Sequence, residues 1–337
     1  MKKHQVTIVD IARQLGISKS TVSRALTAHP SVHQQTREKV LKLAEEMEYE
    51  RNMFSIGLIK KSSHTLGIIV PEFTRSFFPQ IIIGAQEKAK ENGYNLIISQ
   101  SDENYDTEVA NAKVMLVHQV DGLLVSITKE TKTFEHLKVF QRKGIPIVFF
   151  NRVCDEMIVP KVIVEDTEGA FAAVEHLIKR GKKRIAHLSG PTSLSISRRR
   201  QDGYMNALKK YGIDFEPELL VNYDLSIPNV EAHIDYFLQL QPRPDAIFAI
   251  NDPAAIETIR VLKEKGIRIP QDIAVVGFSN DMVSSVIEPS LTTVEQPIKE
   301  MGRTAARLLI EQIQRNFEDW KAQTVSLKTT LVVRDSS

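Results

Sequence analysis

Four polar side chains in one short stretch have the types and spacing to read the edges of nucleic-acid bases: Lys19, Ser20, Ser23 and Arg24. A lysine or arginine donates to guanine O6 and N7, while a serine hydroxyl accommodates several bases. If the stretch Lys19 to Leu26 is helical, Val22, Ala25 and Leu26 share an apolar face and these four lie on the other. Ser18, Thr21 and Ser23 suit contacts to phosphate oxygens, which position a reader without specifying sequence.

Other elements must hold that helix in place. Ile8, Ile11, Ala12 and Leu15 recur at helical spacing, predicting a first helix that begins near Thr7. Thr7 is a capping residue and Asp10 suits the positive end of the helix dipole. Gly16 then ends the first helix and Ser18 caps the second, which makes a helix-turn-helix whose second helix fits a DNA major groove. Val40, Leu43, Ala44 and Met47 predict a third helix from about Gln34 to Tyr49. Residues 51–64 lack a strong period and end in a polar, basic stretch, the pattern of a linker.

Charge follows the same division. The net charge is only +2, yet residues 1–64 carry 11 basic against 6 acidic side chains, leaving 33 against 36 in the remainder. The positive excess sits where phosphate contacts need it. Cys154 is the only cysteine, so no intrachain disulfide can form and a packed, reduced thiol is expected. No apolar run approaches the ~18 residues of a membrane span and the start has no signal-peptide core, so a cytoplasmic protein is expected. The histidines and carboxylates show no catalytic spacing, and no phosphate-loop or dinucleotide signature is present; neither an enzyme nor a bound cofactor or metal is expected.

From Thr65 onward, short apolar runs alternate with amphipathic segments over some 270 residues. Runs such as Leu66 to Val70, Gly122 to Ile127, Ala246 to Ile250 and Ile273 to Phe278 suit parallel strands covered on both faces. The length exceeds one doubly wound domain, so two α/β lobes are predicted.

The order of these parts resembles the LacI/GalR family of bacterial transcription regulators along nearly the whole chain. The strongest local matches are Val9-Asp10-Ile11-Ala12, Thr21-Val22-Ser23-Arg24-Ala25-Leu26, Asn251-Asp252, Asp272 to Phe278 and Pro289 to Val294. The resemblance implies an α/β fold: an N-terminal three-helix helix-turn-helix DNA-binding domain (1–50), a hinge (51–64) and a two-lobed periplasmic-binding-protein-like effector domain (65–335). The N-lobe would hold about 65–162 and 296–322, and the C-lobe about 163–290 and 324–335, with crossovers near 151–165, 289–296 and 321–325. Leu58 stands where the family's hinge wedges a leucine into the minor groove, and Lys60 with Lys61 would supply phosphate contacts. Arg51, Ser55, Ile56, Gly57 and Ile59 depart from the usual hinge, and Gly57 costs helix about 1 kcal/mol relative to alanine.

By the same resemblance the effector would lie between the lobes against Phe77, Phe78, Asn151, Arg200, Leu225, Asn251, Asp252 and Ser279, with Arg152 and Asp166 nearby. Ser279 replaces an aspartate common in the family, which favours an anionic ligand beside Arg200. The implied protein is a homodimeric repressor of a pseudo-palindromic operator, controlled by a small molecule of the carbohydrate or phosphorylated or acidic sugar class. The alternative is a solute-binding protein that does not regulate specific DNA.

Overall fold

The computed structural model describes residues 6–49, 62–315 and 322–337. Two units emerge, residues 1–63 and residues 64–337. The expected hinge readers Leu58 and Lys60 lie outside the described residues.

The first unit holds α1 (Ile8–Leu15), α2 (Lys19–Leu26) and α3 (Gln34–Glu46). The Thr7 amide and hydroxyl both donate to Asp10 Oδ2, at 3.0 and 2.7 Å, so the cap and the acidic residue act together at the start of α1. Gly16 ends it with φ of 63°, a left-handed conformation that costs glycine little. Ser18 Oγ accepts the Thr21 amide at 3.1 Å to start α2. Ile11, Val22, Ala25, Val40, Leu43 and Ala44 pack into one small core. The third helix stops at Glu46, short of the expected Tyr49, because Glu48 turns to a φ of 49°.

The second unit is built from two six-stranded sheets. The first contains β1 (Thr65–Val70), β2 (Asn95–Gln100), β3 (Gly122–Val125), β4 (Ile147–Phe150), β5 (Lys161–Val164) and β11 (Thr324–Leu327) in the order β2-β1-β3-β4-β5-β11. The second contains β6 (Ile185–Ser189), β7 (Leu220–Asn222), β8 (Ala246–Ala249), β9 (Ala274–Ser279), β10 (Thr292–Glu295) and β12 (Thr330–Val332) in the matching order β7-β6-β8-β9-β10-β12. All pairings are parallel except that of β12 with β10. Connecting helices are α4 (Phe77–Glu91), α5 (Tyr105–Val117), α6 (Glu135–Arg142), α7 (Asp166–Lys179), α8 (Ser195–Lys210), α9 (Val230–Gln239), α10 (Asp252–Glu264) and α11 (Ile298–Gln314). In each sheet the strand order reverses beside its first strand, and the crevice at such a switch point is where open α/β sheets take ligands.

Strand pairing corrects the expected lobe boundaries. β5 runs through Val164 in the N-lobe sheet, and β11 pairs with it from Thr324 to Leu327, so this strand is not the start of a C-lobe strand. β10 pairs with β9 through Glu295, which extends the C-lobe past 290. The chain therefore changes lobes at Glu165, at Gln296–Pro297 and at Lys328–Thr329. The last lies beyond the interval 321–325, because only the two-residue gap between β11 and β12 lets the chain leave one sheet and reverse direction in the other.

His187 on β6 is fully buried, stacked on Phe248 with ring centroids 4.7 Å apart and its Nδ1 2.9 Å from the Phe248 carbonyl oxygen. Burial drives its pKa from 6.5 down to about 4. The neutral ring is favoured in the fold while the unfolded chain takes up the proton more readily. The stabilisation is complete above about pH 6.5 and is lost as pH falls towards 4, with a slope of about 1.4 kcal/mol per pH unit. Urea titrations at stepped pH should show this slope in the natural protein and its absence in His187→Leu.

Candidate functional site: an exposed helix face and an interlobe cleft

The α2 helix buries Val22 and Ala25. Lys19, Ser20, Ser23 and Arg24 are all exposed, as the helical period requires. Lys19 and Arg24 have no ion pair or side-chain hydrogen bond among the described residues, which leaves their donors open. Ser18 Oγ lies 2.7 Å from Ser20 Oγ and 2.8 Å from Thr21 Oγ1, a hydroxyl cluster on the first turn. That turn carries no acidic residue. Its free amides and dipole favour an anion there. Thr7 is exposed at the start of α1, with its hydroxyl turned to Asp10.

In the second unit the lobes face each other across a cleft of about 1010 Å³, counted with the part open to solvent. Its walls follow directly from the sheets. Glu72, Thr74, Arg75, Phe77 and Phe78 follow β1, Glu103 follows β2, Lys129 follows β3, and Asn151 with Arg152 follow β4. From the other lobe, Ile196 and Arg200 come after β6, Leu225 after β7, Asn251 after β8, Ser279 at the end of β9 and Gln296 after β10. Contacts across the mouth hold the lobes near each other. Ser76 Oγ donates to Asp281 Oδ2 at 2.6 Å, and Lys129 Nζ donates to the Asp224 carbonyl oxygen at 2.8 Å.

Seven of the eight expected effector residues line this cleft: Phe77, Phe78, Asn151, Arg200, Leu225, Asn251 and Ser279. Asn151, Leu225 and Ser279 have φ values of 57°, 64° and 139°. Backbone held in that region by three non-glycine residues at one cleft marks a site whose geometry is imposed by its surroundings. Asn251 also caps α10, its Oδ1 accepting the Ala254 amide at 3.0 Å.

Asp252 is the exception. It does not line the cleft but is fully buried beneath it, accepting from the Asp281 amide at 2.7 Å, the Ser284 hydroxyl at 2.7 Å and the Thr293 hydroxyl. At the first position of α10 its side chain turns inward, where three neutral donors hold the carboxylate; its role is to tie the loop after β9 to the helix.

Arg200 corrects a second expectation, that its charge awaits an anionic ligand. Its Nε donates to Asp166 Oδ1 at 2.9 Å and its Nη2 forms an ion pair with the same oxygen at 2.8 Å, its Nη1 donates to the Ile250 carbonyl oxygen at 2.6 Å, and its guanidinium stacks 3.7 Å from the Phe278 ring centroid. Burial pushes the Asp166 carboxyl upward, with Arg200 opposing that shift. Arg152 is paired through Nη1, which donates to both Glu103 oxygens at 2.8 Å, while its buried Nε has no hydrogen-bond partner among the described residues. Arg75 differs: it lines the cleft and its guanidinium has no acceptor among the described residues. Sequence reading missed Arg75, Glu103, Lys129 and Gln296, which sit in loops without periodicity. Their positions just beyond strand ends were the available signal.

Residues 7–52 match the family described as bacterial regulatory proteins, lacI family. Residues 63–331 match periplasmic binding proteins and sugar binding domain of the LacI family. The chain is 32% identical to catabolite control protein A of Priestia megaterium, over 93% of this chain and 94% of that protein. Among solved structures it resembles the lac repressor dimer bound to operator and the anti-inducer ONPF, with a TM-score of 0.85, 26% identity and 99% of each chain covered. It also resembles the transcriptional regulator CelR–cellobiose complex, with a TM-score of 0.76, 28% identity, 98% of this chain and 100% of that one. No helix of the described residues is long and apolar enough to cross a membrane. Matches to both family models, in order along nearly the whole chain, on a helix-turn-helix and a two-lobed domain with an interlobe cleft, make this protein a member of the LacI family of bacterial regulatory proteins, a DNA-binding regulator rather than an enzyme.

Proposed function

We propose that the protein is a homodimeric repressor that reads a two-fold operator through α2 and is controlled by an acceptor-rich ligand of the carbohydrate class, a phosphorylated or acidic sugar, in the interlobe cleft. The observation that carries this reading is the pairing of open cationic donors on α2 with a cleft in which, among the described residues, Arg75 has a guanidinium without a carboxylate partner whereas Arg152 and Arg200 are each in an ion pair. Lys19, Ser20, Ser23 and Arg24 are the base readers, and Thr7, Ser18 and Thr21 contact phosphates together with the hinge Lys60; Leu58 is the minor-groove wedge. A ligand with hydroxyls meets Glu72, Asn251 and Gln296, while its anionic group takes the five donors of Arg75. The effector acts only by binding two states of the lobes unequally.

Gel shifts on operators selected from random DNA, repeated across a salt series, test the DNA arm. Binding must fall steeply with salt, and Arg24→Ala should cost roughly 1–3 kcal/mol on the selected site. Salt-insensitive or undetectable DNA binding would leave a plain solute-binding protein. Calorimetry tests the cleft: Arg75→Gln should weaken a sugar phosphate about tenfold or more and leave its neutral parent nearly unchanged. Binding of neutral sugars with exclusion of their phosphates and acids would overturn the anionic assignment.

Dimerisation has its own support. Met282 and Val286, in the turn after β9, are 73% and 78% exposed, with the half-exposed Val283 between them. An apolar group of this kind marks a contact surface. Val286→Asp should raise the dimer dissociation constant at least about tenfold in sedimentation.

A further inference from the structure

A second pocket lies on the other side of the start of α8. Ile196 and Arg200 line the cleft, whereas Ser195, Arg198 and Arg199 line this pocket together with Thr192, Gln201 and two carboxylates, Asp155 and Asp202. Three features there lack an explanation within the protein. The first amides of the sixteen-residue α8 have no side-chain cap, and helix geometry gives them no intrahelical acceptor. Ser195 is only 4% exposed, and its Oγ has no hydrogen-bond partner among the described residues. Arg199 Nη1 is buried and equally without an acceptor. A buried hydroxyl and a buried guanidinium nitrogen left open at the positive end of a helix imply a missing acceptor.

We propose that this pocket binds a phosphate-type oxyanion, inorganic phosphate or the phosphoryl group of a small metabolite, as a second ligand distinct from the cleft effector. The donors are the first α8 amides, the Ser195 hydroxyl and the Arg199 guanidinium, a set that matches the several acceptor oxygens of a tetrahedral anion. Arg198 adds charge: its Nη1 donates to the Thr192 and Ser193 carbonyl oxygens at 2.7 and 3.0 Å, and its Nη2 lies 3.5 Å from Asp155 Oδ2. Asp155 belongs to the loop between β4 and β5 of the N-lobe sheet, so the anion competes with an N-lobe carboxylate for a C-lobe arginine. It therefore acts where the lobes meet, on the helix that also carries Arg200 into the cleft.

The test is calorimetric titration of the full-length protein with inorganic phosphate and, separately, with glycerol 1-phosphate; the tighter arm identifies the source. Saturable binding of one anion per chain is expected. Ser195→Ala and Arg199→Gln should each weaken it about tenfold, and Asp155→Asn should tighten it by removing a competing charge. Melting curves confirm that each variant is folded. Arg75→Gln separates this site from the cleft, since an anion seated in the cleft loses affinity there and an anion at α8 does not. No saturable binding by the folded protein, equal binding by Ser195→Ala and Arg199→Gln, weaker binding by Asp155→Asn, or loss in Arg75→Gln alone would each overturn the proposal.

Discussion

Arg200→Leu should destabilise the effector domain by about 3–5 kcal/mol, the cost of breaking a buried ion pair by removing one partner. Asp166 is almost wholly buried, and its Oδ1 accepts from Arg200 Nε and lies in ion-pair contact with Nη2, while its Oδ2 has no hydrogen-bond partner among the described residues. Leucine would leave that carboxylate without its counter-charge and would also free the Ile250 carbonyl oxygen and the face of Phe278. Urea denaturation at pH 7 measures the loss. Arg200→Leu combined with Asp166→Leu should recover part of it, because replacing both partners by apolar groups removes the stranded charge. Lysine would not restore the arginine, since a point charge cannot make both the paired contact to Asp166 and the bond to Ile250. A single variant within about 1 kcal/mol of the natural protein would show that Asp166 is neutral in the fold and that the pair is not ionic.

The first unit was readable because each signal there is local. Helical spacing of Ile8, Ile11, Ala12 and Leu15, a cap at Ser18 and a left-handed Gly16 each act within a few residues, and all appear in the structure. The alternation of strands and helices after Thr65 was equally local. Sheet membership was not: β11 and β12 are separated by two residues, and the partner of β11 is β5, some 160 positions earlier. Short α6 offered only two buried positions, Leu137 and Phe140, too few to establish a period. At the cleft, the resemblance located the loops but not the charge balance. Arg200 is already paired and Arg75 is not, a difference decided by Asp166, whose neighbour in space lies 34 positions away. The resemblance places Asn251 and Asp252 together in the cleft loop, yet one residue along a helix turns a side chain by about 100°, which sends Asp252 into the core.

Gly302→Ala should cost about 3 kcal/mol or more, although alanine is the better helix former by about 1 kcal/mol. The two effects oppose each other, and position decides between them. Gly302 on α11 faces α4, where an added Cβ would overlap the Ile81 carbonyl oxygen and crowd the Ala85 amide; Gly84 on α4 faces α11 in the same manner, against the Lys299 carbonyl oxygen. Those obstacles are backbone, so no rotamer change relieves them and the helices must separate. Separation would also displace the start of α4, where Phe77 and Phe78 form part of the cleft wall. Gly302→Ala should thus lower the urea midpoint and weaken cleft binding together. Gly84→Ala should behave alike, and the double variant should lose less than the sum, because one movement of the helices relieves both overlaps. A gain in stability of about 1 kcal/mol would mean that helix propensity prevails and that these helices do not pack through their glycines.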